Sequence, residues 1–175
     1  ALALLNLASV ARFQGNYPRA NELFSECLPL MRQVGDRNGL AQTLAGLANV
    51  AYQQGNLAHA AALHKESLII SQELDYKLGE ASALEGLASV ATAQEQPERG
   101  ARLFGAAAAL RDAIKAPLHP TDRSEHERGV MLLRQRLGEA VFSRLWAEGQ
   151  ALALSAAIEY ALSGRVLDSA SSPSR

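Results

Sequence analysis

Apolar residues along this chain recur in steps of three and four, and the whole pattern returns every forty residues. Leu4, Leu7, Ala8, Val10 and Ala11 reappear as Leu44, Leu47, Ala48, Val50 and Ala51, and again as Leu84, Leu87, Ala88, Val90 and Ala91. Ala1, Gln14 and Leu23 return in the same way, so eight phases carry one residue type in all three copies. Steps of three and four place side chains on one face of a helix. Self-similarity at a period of this size is the mark of a repeat array. The copies are taken as residues 1–40, 41–80 and 81–120.

Each copy divides in the middle. Gly15-Asn16 and Gly55-Asn56 end one helix with a left-handed glycine and open the next with an Asn that accepts from free amides. Pro18 sits in the first turn of the second helix, where its missing N–H costs nothing. The third copy has Glu95-Gln96-Pro97 instead, which predicts a looser turn. The second helices are predicted over 17–34, 57–74 and 97–114. Pro29 falls inside the first of them, where it removes a backbone bond and is expected to bend the helix.

These residues resemble the tetratricopeptide repeat family. The matching positions in the first copy are Leu4, Leu7, Ala8, Ala11, Gly15, Tyr17, Ala20, Phe24 and Cys27; the second offers Leu44, Leu47, Ala48, Ala51, Gly55, Leu57, Ala60, His64 and Ser67. The third keeps Leu84, Leu87, Ala88, Ala91, Phe104 and Ala107, with Ala101 one step late. Departures are Leu in place of a large aromatic at the first signature phase, no proline at the repeat end, and a period longer than the usual one. The resemblance implies an all-α fold, a right-handed α-α superhelix of antiparallel helix pairs.

Beyond residue 120 the pattern changes. Thr121 or Asp122 is the expected N-cap of a helix running through Glu125 to Leu137; Gly138 marks a corner, a helix over 139–150 carries Trp146, and Ser155 caps a last helix over 156–162. Solenoids need such elements to cover an open apolar end, so 121–163 is read as a helical cap. Residues 164–175 are Ser-rich and aperiodic and are expected to be disordered. The segment containing Leu103-Phe104-Gly105, Ala116-Pro117-Leu118, Leu137-Gly138-Glu139 and Trp146-Ala147-Glu148-Gly149 resembles the C-terminal end of large bacterial regulators. In those, a STAND-type NTPase core precedes the repeats, and LuxR-type or SARP-type DNA-binding domains or a cyclase domain lie elsewhere in the chain. Ala1 falls inside the repeat pattern, so the chain reads as a piece of such a protein.

Composition narrows the function. Apolar residues make up 48% of the 175, aromatics only 5%, and the formal charge is −1. An Ala-rich, nearly neutral chain supports close helix packing and gives no field that would recruit nucleic acid or an anionic membrane. The single Cys27 cannot close an internal disulfide, which fits a cytoplasmic location; its phase in the repeat is that of a small packing residue. No apolar run reaches membrane-spanning length, and none resembles a secretory signal.

No phosphate loop, Cys pair or HExxH pattern is present. His59 and His64 are five apart, on different helix faces, which does not suit a metal; the charged run Ser124 to Arg128 reads as an ordinary first turn, and Trp146 as part of the cap core. The arginines Arg12, Arg19, Arg99 and Arg102 interleave with Glu22, Glu26, Glu66 and Glu98, which describes a solvated surface. No cofactor and no catalytic group are expected. The resemblance instead implies a concave groove lined by the first helix of each pair, with Asn6, Ser9, Arg12, Phe13, Asn49, Tyr52, Gln53, Glu85 and Ser89 as candidate partner contacts. Phe13 and Tyr52 are the anchors expected of a binding hot spot. The lysines of the family's carboxylate clamp are missing, so that mode is rejected. An empty groove fits the same residues.

Three roles follow: a sensing or interaction module of a multidomain regulator, a free-standing scaffold for a protein or peptide partner, or an enzyme, for which convergent groups are lacking. The uncovered face of the first helix, with Leu4, Leu7 and Val10, suggests pairing with a second copy.

Overall fold

The computed structural model describes residues 1–118 and 120–163. The expected tail over 164–175, and His119, lie outside them. Among the described residues the structure is entirely helical: α1 (Leu2–Phe13), α2 (Tyr17–Val34), α3 (Arg37–Gln53), α4 (Leu57–Glu73), α5 (Lys77–Ala93), α6 (Pro97–Ile114), α7 (Pro120–Leu137), α8 (Glu139–Ala151) and α9 (Leu154–Ser163). Each helix from α1 to α6 packs on the next in sequence, which makes a solenoid of three antiparallel pairs. No helix among the described residues is long and apolar enough to cross a membrane.

All six turns that end α1 to α6 use one device. A residue in the left-handed region ends each helix: Gly15, Gly35, Gly55, Asp75, Glu95 and Lys115. The next amide then reaches back five residues: Asn16 to Ala11 at 2.9 Å, Asp36 to Met31 at 3.1 Å, Asn56 to Ala51 at 2.9 Å, Tyr76 to Ser71 at 2.8 Å, Gln96 to Ala91 at 2.9 Å and Ala116 to Arg111 at 3.0 Å. This is the Schellman closure. The turn at Glu95 closes like the others: its inner bond, Glu95 to Thr92, is 3.4 Å, against 3.3 Å for Gly35 to Arg32 and 2.9 Å for Gly55 to Tyr52. The looser turn expected there is not seen, because Glu95 takes the same left-handed conformation as the glycines. Asn16 and Asn56 cap α2 and α4 by accepting from the amides of Arg19 and His59.

Several helices start earlier than expected. Asp36 accepts from Gly39 N at 2.8 Å, so α3 begins at Arg37, ahead of Ala41; Tyr76 plays the same positional part for α5 without a side-chain cap. The boundaries at 40 and 80 therefore fall inside helices. Helix α7 begins at Pro120 and encloses Thr121 and Asp122, which were expected as caps; α9 begins at Leu154 and encloses Ser155. Helix α2 continues through Pro29.

The inner faces pack ring against glycine. Phe24 of α2 is buried and lies where a side chain on Gly46 of α3 would collide with it; His64 of α4 stands in the same relation to Gly86 of α5. Forty residues on, Phe104 of α6 meets α7 instead, edge-on to His126 with ring centroids 4.9 Å apart. Glycine at the receiving position lets the ring of one pair sit on the backbone of the next, so neighbouring pairs approach closely.

The C-terminal end is sealed by α8. A side chain on Gly105 would strike the Trp146 carbonyl oxygen, and one on Gly149 the Arg102 carbonyl oxygen, so α6 and α8 meet backbone to backbone. Arg102 Nε donates to Glu148 at 2.8 Å beside this contact, and Trp146 tilts against Phe142 with centroids 5.4 Å apart. Helix α9 then lies against α4, α5 and α6, its last carbonyls accepting from Arg99 at 2.8 and 3.0 Å and from Lys65 at 3.1 Å. Cations at a helix C-terminus satisfy both its free carbonyls and its dipole.

Candidate partner-binding groove

The first helices of the three pairs, α1, α3 and α5, line one side of the solenoid. Most of the candidate residues face that side, where they meet helix α7. The C-terminal half of α7 is anchored on α5 and α6: Leu133 is buried, and Arg136 donates to the Thr92 carbonyl at 3.0 Å. Its N-terminal half extends back across α3 and α1. Asp122 accepts from Arg12 at 3.2 Å, and Glu125 accepts from Gln53 Nε2 at 3.0 Å.

Arg12 and Gln53 are thus bound to α7. Asn49 and Ser89 line small clefts between α7 and the repeat helices. Tyr52 lines the same rim as Glu125 and Arg128; burial, reinforced by the Glu125 carboxylate, pushes its hydroxyl pKa up. Glu85 is held by Arg111, which donates through Nε at 2.5 Å and Nη2 at 2.7 Å. That fork is the geometry of a strong charge-assisted pair. Phe13 is partly exposed and carries the Arg12 guanidinium over its ring at 4.1 Å. Ser9 donates to Leu5 O at 2.9 Å within its own helix, and Asn6 is exposed. The groove is therefore roofed over much of its length by the chain's own charged helix turn, Asp122 to Arg128.

Burial shapes the titration of that turn. It raises the pKa of Glu125, against the pull of Arg12 and Arg128, and it lowers that of His126. At the centre of the stack His64 is fully buried, its Nδ1 has no hydrogen-bond partner, and burial alone lowers its pKa to about 4. Among the described residues no cluster of His, Cys, Asp and Glu is arranged to hold a metal ion. Cys27 is buried and unpaired by disulfide, packed near Thr43 Oγ at 3.6 Å.

Sequence reasoning did not find Arg111, Asp122 and Glu125 as groove residues. They lie outside the repeat phases that define the groove, and each acts through polar contacts to residues far away in sequence.

The repeat geometry agrees with what the chain resembles elsewhere. A tetratricopeptide repeat family model matches residues 1–73. Over these residues the chain is similar to tetratricopeptide repeats. The third helix pair continues them with the same turns and the same ring position at Phe104. Tetratricopeptide repeats are protein–protein interaction modules. Over 66 residues the chain is 42% identical to an HTH-type transcriptional regulator of Mycobacterium bovis, and equally to HTH-type transcriptional regulators from two strains of Mycobacterium tuberculosis. The matched stretch is 38% of this chain and 8% of each relative, so the chain spans a small part of the regulators it resembles.

Proposed function

We propose that this chain is a non-catalytic, cytoplasmic interaction and effector-sensing module of a larger bacterial transcriptional regulator, one built around a STAND-type NTPase core. The observation that carries the reading is the position of α7. Its N-terminal half occupies the face that tetratricopeptide repeats offer to partners, and it is held there by Arg12–Asp122 and Gln53–Glu125. Over α1 and α3 these two exchangeable polar contacts make a shallow hold, while nearer the middle of α7 His126 packs edge-on against Phe104 of α6. A partner peptide, or another domain of the same protein, that binds Arg12, Asn49, Gln53, Tyr52 and Ser89 better than α7 does would shift α7 away, and that shift is the signal. The similarity to mycobacterial regulators supports the wider setting. It bears on the repeat part only, and the DNA-binding and nucleotide chemistry belong to other parts of such a protein.

The test is an in-frame deletion of the segment coding for residues 1–163 from the complete gene, read by genome-wide transcript levels. Altered transcription at a discrete set of promoters, restored by the intact gene, supports the regulator. Unaltered transcription, with loss of a co-purifying protein partner, replaces it with the free-standing scaffold.

A further inference from the structure

Beneath the contacts that hold α7 lies a cleft of about 480 Å³. Its walls come from α1, α3 and α5, its floor from Phe24, Ser67 and Ser71 on the second helices, and its far side from Ala116, Pro117 and Asp122, where α6 passes into α7. That volume lies within the range of small-molecule sites, roughly 300–1,000 Å³. It equals about sixteen liquid waters at ~30 Å³ each.

Two features say what the cleft suits. The first is Ser71. It lines the cleft, it is fully buried, and its hydroxyl has no hydrogen-bond partner in the protein. Its Oγ presents no free surface and lies against Gly79 of α5, so a ligand carbonyl or hydroxyl reaches it by displacing that contact, and the bond then relieves a buried hydroxyl that is disfavoured without a partner. The second is the charge balance. Arg111 spends its donors on Glu85, on Ser82 Oγ at 3.3 Å and on the Ala116 carbonyl at 3.3 Å. Arg12 is paired with Asp122. Both cations on the wall are already neutralised by carboxylates. An anion would have to displace a carboxylate, and a cation would have to break an arginine pair. The rest of the lining mixes Leu5, Phe24 and Leu78 with Gln42 and Asn49, which favours a ligand with an apolar body and a polar edge.

We propose that this cleft binds a small, uncharged organic molecule with an apolar ring system and an amide or hydroxyl group, the polar group bonding Ser71. The site shares Ser9, Arg12 and Asn49 with the partner face argued above, but its ligand does not depend on that reading, and it stands whether or not the chain belongs to a regulator. Because Pro117 and Asp122 form one wall, occupancy bears directly on the root and first turn of α7.

The test uses three probes of one shape: 2-naphthamide, 2-naphthoate and 2-naphthylmethylamine. Binding to the 175-residue chain is followed by saturation-transfer NMR and by the shift in Tm, which rises when a ligand binds only the folded state. The amide is expected to bind at least roughly tenfold more tightly than either charged probe. Ala45→Leu and, independently on another wall, Ala116→Leu should each abolish binding while the circular dichroism stays that of the parent chain. Ser71→Ala should weaken the amide several-fold and leave the other probes unchanged. Equal binding of the three probes, amide binding that survives both filling variants, or no amide binding at millimolar concentration would each overturn the proposal.

Discussion

Leu7 and Val10 of α1 are 56% and 50% exposed, whereas Leu87 and Val90, at the same phases of α5, are 5% and 2% exposed. The residues are identical and the helices equivalent; only the neighbour differs. Helix α5 has the α3–α4 pair on one side and α6 on the other. Helix α1 packs on α2 and α3, with a further contact to α7 through Arg12–Asp122. A repeat motif therefore does not specify burial by itself. It specifies a surface that is buried if another element arrives. At the opposite end the element that arrives is not a repeat: α8 seals α6 through the glycine pair Gly105 and Gly149, and Leu103 and Phe104 are as buried as any residue in the stack.

The largest effect expected from that difference is at the seal. Gly149→Leu must push α8 off the backbone of α6, since the obstructing atom is a carbonyl that has no rotamer to change. Overpacking costs typically about 1–3 kcal/mol and occasionally more, and an obstruction by backbone puts this variant at the upper end, read as a lowered midpoint of urea unfolding. An unchanged midpoint would show that α8 is not needed to close the core.

The two ends can then be compared directly by Leu87→Ala and Leu7→Ala. The buried leucine should cost about 3 kcal/mol, the exposed one no more than ~0.5 kcal/mol. If α1 meets a second copy of the chain through its open face, Leu7→Ser with Val10→Ser should abolish concentration-dependent association in sedimentation velocity without altering unfolding. A parent chain that is monomeric at every concentration removes that pairing.

The middle of the stack gives a third comparison. Phe24, His64 and Phe104 share one phase, and only the imidazole can take a proton. The folded-state pKa of His64 lies near 4, below the ordinary 6.5, so the unfolded chain binds more protons between those values. Stability is then complete above pH ~6.5 and falls as the pH drops towards 4, by up to about 3 kcal/mol. His64→Phe, which copies its neighbours over the matching glycine, should abolish this part of the pH dependence. Urea titrations of both proteins across that range check it. The difference between them isolates His64 from His126, whose lowered pKa acts in the same direction, and from Glu125, whose raised pKa acts in the opposite one.

What the sequence made legible follows from the same physics. Helix pairs, their inner faces and the turns at Gly15 and Gly55 recur at fixed spacing, so three copies report each of them. The turns at Gly35, Asp75 and Lys115 also recur, but three different residues hide the shared backbone shape. Gly46 and Gly86 occupy one phase of the second and third copies and serve the core by receiving Phe24 and His64, a pairing that spacing alone does not reveal. The course of α7 was not legible at all. Its reach over the groove depends on Arg12–Asp122 and Gln53–Glu125, single polar pairs between distant residues with no periodic signature. The run Ser124 to Arg128 looks like any charged helix start.

The smallest expected effect concerns that last feature and decides how firmly α7 is held. The Arg12 side chain is 14% exposed and that of Asp122 40%, so the pair is half in water. Exposed pairs contribute about 0.2–1 kcal/mol, and their strength declines with salt as the Debye length shortens from ~10 Å at 0.1 M towards ~3 Å at 1 M. A double-mutant cycle of Arg12→Gln and Asp122→Asn should give a coupling below ~1 kcal/mol that fades at high salt. Amide hydrogen exchange should quicken over the N-terminal turns of α7 in either single variant and remain slow around Leu133. A coupling well above that range, or faster exchange along the whole helix, would mean that α7 is a fixed part of the core and that no partner displaces it from the groove.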